Sequence, residues 1–249
     1  MGAEDSITRI EPGHWATRLM HSNNPVLAVS HRARFRFARR LLMRFSGGRL
    51  LDYGCGDGTL FTVIKDLFPS LTGLDLNQRN IKDCRQRFKG VHGVDFVEAS
   101  EIADPLYHGV YDVVTCFEVL QCCLESDFEQ VMVDLGRLVA TNGELVISVP
   151  IESGPALLVK HAVRSVALRR AKEKDHYNLG ELLRMTFANK LTTIRRTVNS
   201  GRYDYKGFNW RRAKARIENH FSLRESHFSP LHCSRGLLSA QAWFLCQPR

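Results

Sequence analysis

Between Leu50 and Pro150 the chain alternates two hydrophobic patterns. Short runs rich in β-branched and aromatic residues read as buried strands, and longer stretches with apolar residues three and four apart read as amphipathic helices. LLDYG predicts a first strand entering a glycine turn, and TLFTVIKDLF a helix after it. LTGLDL is a second strand, followed by a helix over NQRNIKDCRQRF with Asn77 as its N-cap. VDFVEA and YDVVTCF supply a third and a fourth strand. ESDFEQVMVDLGRLVA is then helical, Thr141-Asn142-Gly143 forms a turn, and GELVISVP is a fifth strand. Strands spaced by such helices are right-handed βαβ crossovers in a parallel α/β sheet. An open sheet of this kind takes its ligand outside the carboxyl ends of its strands.

Outside this region, residues 14–45 read as one or two helices, and 154–172, 177–190 and 209–220 as further helices. FSLRESHFSPL and SAQAWFLCQ close the chain as a β-hairpin-like pair.

The candidate chemistry lies at the strand ends. Gly54, Gly56 and Gly58 alternate after the first strand, with Asp52 just before them. A dinucleotide turn wants G-x-G-x-x-G, so that a pyrophosphate can rest on the following helix N-terminus. Here the spacing differs, and a carboxylate beside a pyrophosphate is repulsive whereas one beside an ammonium group is attractive. Asp75 ends the second strand, at about the 20-residue distance expected of an acid that grips ribose hydroxyls. Glu98-Ala99 ends the third, where a polar group can take an adenine amino group, and Cys116-Phe117-Glu118 ends the fourth, where cofactor and acceptor should meet.

Taken in order, D-x-G-x-G-x-G, the acid in LDLN, the VEAS strand end and YDVVTCFEVL resemble the successive motifs of class I S-adenosylmethionine-dependent methyltransferases, over roughly residues 48–150. The similarity is strongest to the small-molecule (type 11) subgroup that includes ubiquinone-type O-methyltransferases. It implies an α/β, Rossmann-like fold: a seven-stranded, mostly parallel sheet with the last strand antiparallel and helices on both faces. The terminal pair would be its sixth and seventh strands. It implies S-adenosyl-L-methionine as cofactor and S-adenosyl-L-homocysteine as product. Asp52, Tyr53, Gly54, Cys55 and Gly56 then fall to the methionine end, and Asp75 and Leu76 to the ribose and adenine edge. Glu98 and Ala99 fall to the adenine, and Cys116 and Phe117 to the floor near the sulfonium. Blander readings stay open: Asp52 as a turn-stabilising acid, Gly58 as helix packing, Glu98 as a solvated strand-end charge, and Cys55 as a small residue that fits the turn. One methyltransferase domain over 1–249 is expected, with a helical cap over 1–45, the cofactor-binding core over 48–150, a helical substrate cap over 151–220 and the strand pair over 221–249.

One departure matters. Ubiquinone-type relatives often read E-V-L-E-H after the fourth strand, whereas this chain reads Glu118-Val119-Leu120-Gln121-Cys122. Glutamine is neutral and cysteine a poor ligand for a hard cation, so neither a metal nor a general base at Cys122 is expected. No catalytic residue is readable from the motifs. The candidates for a base are His14, His176 and Tyr205, in segments that cap the strand ends; the aromatics of 203–210 read rather as wall or lid.

Charge broadens the choice of partner without fixing it. The net charge is +9, with the excess in Arg32–Arg44, Lys160–Lys174 and Arg195–Arg216. Residues 154–172 read as a packed helix with a solvated basic face, or as an interfacial helix touching an anionic membrane that carries a lipid-linked acceptor. The chain has no recognisable RNA module, and its arginines alternate with core-like apolar residues, which argues against nucleic acid. The expected acceptor is therefore a small, sugar- or lipid-linked metabolite, methylated at oxygen rather than nitrogen. RNA or protein methylation and a catalytically silent binding protein are the alternatives. Seven cysteines with no C-x-x-C pair fit free thiols in a reducing compartment, and the acidic N-terminus lacks an apolar signal core, so a cytoplasmic protein is expected.

Overall fold

The computed structural model describes residues 10–14, 17–18, 25–167, 177–230 and 239–249, which fall into two units, one reaching Pro105 and one running from Leu106 onward. In the first unit β1 (Arg49–Tyr53), β2 (Ser70–Asp75) and β3 (Val94–Glu98) are parallel, with β2 in the middle. The register sets Asp52 beside Gly73 and Asp75 beside Glu98, so the two acids that end β2 and β3 share one edge. Leu50, Leu51, Leu71, Leu74 and Phe96 fill the core.

Around these strands lie α1 (Pro25–Leu42), α2 (Phe61–Ile64) and α3 (Gln78–Arg87). Asn77 caps α3 as expected, its side chain accepting from the Arg79 amide at 3.1 Å. The helix expected over TLFTVIKDLF shrinks to one turn. Gly58 at φ 67° cannot begin a right-handed helix, and Pro69 lacks the amide to extend one toward β2. Phe61, Phe88 and Phe96 form one aromatic cluster with ring centroids 5.1–6.3 Å apart. The basic run in α1 is not all solvated face: Arg39 forks onto Asp66 at 2.6 and 2.7 Å and donates to the Val63 carbonyl.

His31 of α1 is held at a pKa of about 4, first by burial and then by the charge of Arg34, and its Nδ1 is a buried atom with no hydrogen-bond partner among the described residues. The folded state therefore binds fewer protons than the unfolded chain between pH 6.5 and about 4, and stability falls as pH drops through that window. Thermal melts from pH 7.5 to 4.5 should show this slope, and His31→Gln should flatten it; an unchanged slope in the variant would contradict the assignment.

In the second unit β4 (Tyr111–Phe117) and β5 (Val139–Pro150) are parallel. The hairpin of β6 (Val198–Asn199) and β7 (Arg202–Tyr203) stands apart from them. β8 (Ser222–Ser229) and β9 (Gln241–Gln247) are the terminal pair read from the sequence. β9 lies between β5 and β8 and runs antiparallel to both, as the resemblance implied for the last strand. The turn expected at Thr141–Gly143 is instead an irregularity within β5: Tyr111 pairs with Val139, but Val113 pairs with Glu144, so the intervening residues loop out of register.

The helices of this unit are α4 (Glu125–Leu138), α5 (Ala156–Ala167), α6 (Leu179–Thr186) and α7 (Trp210–His220). Lys160 of α5 does not project into solvent as the sequence suggested. Its Nζ lies 3.0 Å from the buried Glu152 carboxylate and donates to the Ile151 and Ala240 carbonyls. Residues 168–176, with His176 and most of the Lys160–Lys174 excess beyond α5, lie outside the described residues. Among the described residues no helix is long and apolar enough to cross a membrane.

Candidate active site

In the first unit the turn after β1 is built on backbone. The Gly54 and Cys55 amides both donate to the Leu74 carbonyl, at 2.7 and 2.8 Å, which folds the chain back over the end of β2. Gly56 takes φ 57° and points its amide at Asp75 Oδ2, 2.9 Å away, while Oδ1 of the same carboxylate accepts from the Asn77 amide at 2.7 Å. Asp75 is thus locked at the mouth of the turn with lone pairs left on both oxygens. Gly58 serves packing: a Cβ there would sit 3.0 Å from the Phe88 ring and 3.3 Å from Phe96.

Asp52 and Tyr53 are buried at the end of β1. Glu98 is half-buried, its Oε2 accepting from Gln78 Nε2 at 2.8 Å and its amide donating to Glu101 at 2.7 Å. Ala99 is half-buried beside it, and Leu76 stands 69% exposed, an uncovered apolar edge next to Asp75. The Cys55 side chain turns away from the mouth onto β2, where a Cβ on Gly73 would meet its Sγ at 3.0 Å. Its thiol is held well above the usual range, first by a hydrogen bond with Cys84, then by burial and by the charges of Asp52, Cys84 and Asp75. It is a protonated packing group, not a nucleophile.

Two features of this turn escaped the sequence reading. Asp57 is buried and accepts from the Thr59 amide and hydroxyl, an Asx-type turn that the D-G-T spelling could have signalled. Gly13 lies directly over it, since a Cβ there would meet Asp57 Oδ2 at 2.3 Å. Arg87 of α3 ties both pieces together by donating to the Asp57 and Glu11 carbonyls. His14, next along the same segment, is exposed.

The structure of the turn suits a cation-bearing nucleoside. Beside the Arg87 guanidinium, which is engaged on the Asp57 and Glu11 carbonyls, the turn carries the carboxylates Asp52, Asp57 and Asp75, which would repel a pyrophosphate and attract an ammonium group, and Asp75 retains acceptor capacity for ribose hydroxyls. S-Adenosylmethionine has that chemistry.

In the second unit Cys116 is fully buried at the end of β4, and Phe117 packs edge-on against Trp243 with centroids 5.0 Å apart. Glu118 follows at φ 59°, a left-handed conformation uncommon for a residue with a side chain. Its amide donates to the Ser148 carbonyl at 3.0 Å. Gln121, fully buried, donates through Nε2 to the Glu118 carbonyl and to the Tyr205 hydroxyl at 3.2 Å. Tyr205, one of the three catalytic candidates, is thus placed beside the turn after β4, 41% exposed, while His176 lies outside the described residues. Burial raises the Cys122 thiol and takes Cys123 up to about 12, which leaves neither as a base near neutral pH. Among the described residues no group of three His, Cys, Asp or Glu side chains is arranged to hold a metal ion.

A cavity of about 370 Å³ adjoins this strand end, with Leu120, Phe128, Ile194, Tyr203 and Phe208 in its wall. Asn209 shapes it by capping α7 and donating to the Asn189 and Thr192 carbonyls at 2.6 and 2.9 Å. Arg196 lies over the Tyr203 ring at 4.3 Å, its Nε and Nη2 donating to the Lys206, Gln121 and Asp204 carbonyls, and burial lowers its pKa below the usual range. The aromatic positions 203 and 208 are therefore wall.

The chain is 30% identical over 109 residues to the ubiquinone biosynthesis O-methyltransferase of Bordetella avium, an alignment covering 41% of this chain and 40% of that protein. It is 29% identical over 112 residues to the small RNA 2'-O-methyltransferase of Mus musculus, covering 39% of this chain and 28% of that one. Across the first of these relatives the chain thus spans about two-fifths or less of their length. The structure of magnesium protoporphyrin IX methyltransferase from Synechocystis with bound S-adenosylhomocysteine superposes with a TM-score of 0.55 at 15% identity, covering 91% of this chain and 88% of that one, which shows a common fold. The family described as "Methyltransferase domain" matches residues 30–187, more than half of the chain. The chain belongs to that methyltransferase-domain family, and it has the fold seen in the Synechocystis structure.

Proposed function

We propose that this protein transfers a methyl group from S-adenosylmethionine to an oxygen of a small, sugar- or lipid-linked metabolite. The observation that carries the reading is the Asp75 carboxylate fixed by the Gly56 and Asn77 amides at the mouth of an acidic glycine turn. Asp52, Tyr53 and the Gly54–Gly56 backbone hold the methionine end, Asp75 and Leu76 the ribose and adenine edge, and Glu98 and Ala99 the adenine. Cys116 and Phe117 complete the set by the family pattern. When bound, S-adenosylmethionine supplies an electrophilic sulfonium methyl. What the chain's own residues contribute is binding and alignment, worth up to about 7–11 kcal/mol in well-oriented reactions. Oxygen is favoured because the bacterial relative above is named an O-methyltransferase.

Isothermal titration with S-adenosylmethionine and with S-adenosylhomocysteine tests the reading. Both should bind, since the product keeps every group but the methyl; a protein that binds neither is a silent scaffold. EDTA should leave turnover unchanged, because Gln121 is a neutral amide where relatives often carry an acid, and the Cys122 thiol stays protonated. A strict Mg²⁺ requirement would contradict that assignment. The mouse relative keeps RNA as a second reading, which a salt-sensitive shift of single-stranded RNA would favour.

Peripheral contact with an anionic membrane belongs to the same proposal. The helix read for this contact, 154–172, lies partly outside the described residues; beyond it Leu179 and Leu183 of α6 and Phe187 and Leu191 after it are all exposed, with Arg184 and Lys190 among them. Co-sedimentation with phosphatidylglycerol-containing vesicles but not with neutral ones is expected, and binding to neither would remove the membrane from the account. A cytoplasmic location fits the six described cysteines, all of them free thiols.

A further inference from the structure

The cavity beside β4 has a charge pattern that its own ion pairs do not balance. Arg195, Arg196, Arg212 and Arg216 line it, against the single carboxylate of Glu125. Glu125 is shared, 2.8 Å from Arg216 and 3.5 Å from Arg212, and Arg216 also takes Glu129. That leaves Arg196 and Arg195 without a carboxylate among the described residues. Arg196 is half-buried, bonded only to carbonyls and set over aromatic rings, and its Nη1 makes no hydrogen bond to a described residue. Arg195, exposed at the rim, has no hydrogen bond or ion pair within the described residues. A guanidinium taken out of water without a counter-charge is costly, and an oxyanion arriving beside it forms charge-assisted, geometrically matched bonds. Beside Thr192, Thr193 and Asn209, the wall carries Leu120, Phe128, Ile194, Tyr203 and Phe208, so the complementary ligand has an apolar body as well as a charge.

We propose that this cavity holds an organic anion, a carboxylate or phosphate group joined to an apolar ring or chain, and that the methyl acceptor is of this class. The acceptor assignment rests on the methyl-transfer reading; its structural support is that Leu120, in the cavity wall, follows the end of β4 by only a short turn.

The test is titration of the full chain with phenyl phosphate, benzoate and uncharged benzamide at millimolar concentration, with S-adenosylhomocysteine titrated into the same preparations. At least one anion should bind at least about tenfold more tightly than benzamide, and the stronger of the two identifies the group as phosphate or carboxylate. Arg195→Gln, which removes a rim charge with no described partner, should weaken that anion about tenfold and leave S-adenosylhomocysteine affinity unchanged. Arg212→Gln, which removes a second lining charge, provides a second arm, with a loss in the same direction. Equal binding of benzamide and both anions would overturn the proposal, as would anion affinity untouched by both substitutions. Anion binding with no binding of S-adenosylhomocysteine would overturn the acceptor assignment through the reading beneath it, while leaving the anion site itself standing.

Discussion

Asp75→Ala should weaken S-adenosylhomocysteine binding by roughly 10- to 150-fold, the equivalent of about 1.5–3 kcal/mol for lost hydrogen bonds to a charged group. Two effects act in the same direction. The substitution removes the acceptor of the ribose hydroxyls, and it also releases the Gly56 and Asn77 amides, which both point at the carboxylate. The turn then loses the tie that aims its backbone. Asp75→Asn separates the two contributions, because it keeps an acceptor oxygen and the side-chain shape but gives up the charge. It should fall between wild type and Asp75→Ala. Titration calorimetry gives the affinities, and a thermal melt of each variant shows that the loss belongs to the site and not to folding. An unchanged dissociation constant for Asp75→Ala would remove Asp75 from the site.

The largest expected loss of stability comes from Phe96→Ala, at about 3–5 kcal/mol. Phe96 is 2% exposed on β3 and touches both Phe61 and Phe88, with centroids 5.5 and 5.1 Å away. Its ring also fills the space that a Cβ would need at Gly58 and at Gly73. Truncating it opens a cavity beneath the turn as well as between strand and helix. For a chain of this size the melting temperature should drop on the order of 10 °C. Because Phe96 supports the floor under Gly58, ligand affinity should fall with stability. Phe96→Leu keeps most of the volume and should recover much of both. A loss under about 1 kcal/mol for Phe96→Ala would mean that this cluster does not hold the first unit together.

How much of this was readable beforehand follows from where the information sits. β1 to β4 are apolar runs bounded by glycine, asparagine or acid, and their limits came out close to the expected ones. The Asn77 cap is equally local, one side chain answering an amide two residues on. The acids at 75 and 98 were legible for the same reason, since each ends a run that has to be a strand. Contacts between distant segments leave no such trace. Nothing in E-P-G-H announces that Gly13 will lie on Asp57, or that Arg87 will hold both. The hairpin at 198–203 was missed although Asn199-Ser200-Gly201 spells a turn with left-handed positions, because two-residue strands carry no periodicity. Gln121 was read only as a neutral residue where relatives often carry an acid; its place as a buried tie between Glu118 and Tyr205 depends on a segment 84 residues away. The basic stretches likewise appeared as a surplus of charge. Only folding sorted Arg39 and Lys160 into ion pairs and gathered Arg195, Arg196, Arg212 and Arg216 around a cavity.

A crystal structure with S-adenosylhomocysteine tests the central claim most directly. The ribose hydroxyls should lie within hydrogen-bonding distance of the Asp75 carboxylate, with the amino-acid end against the Gly54–Gly56 backbone. A nucleoside bound with Asp75 turned away from its ribose, or a dinucleotide resting on the turn, would contradict it.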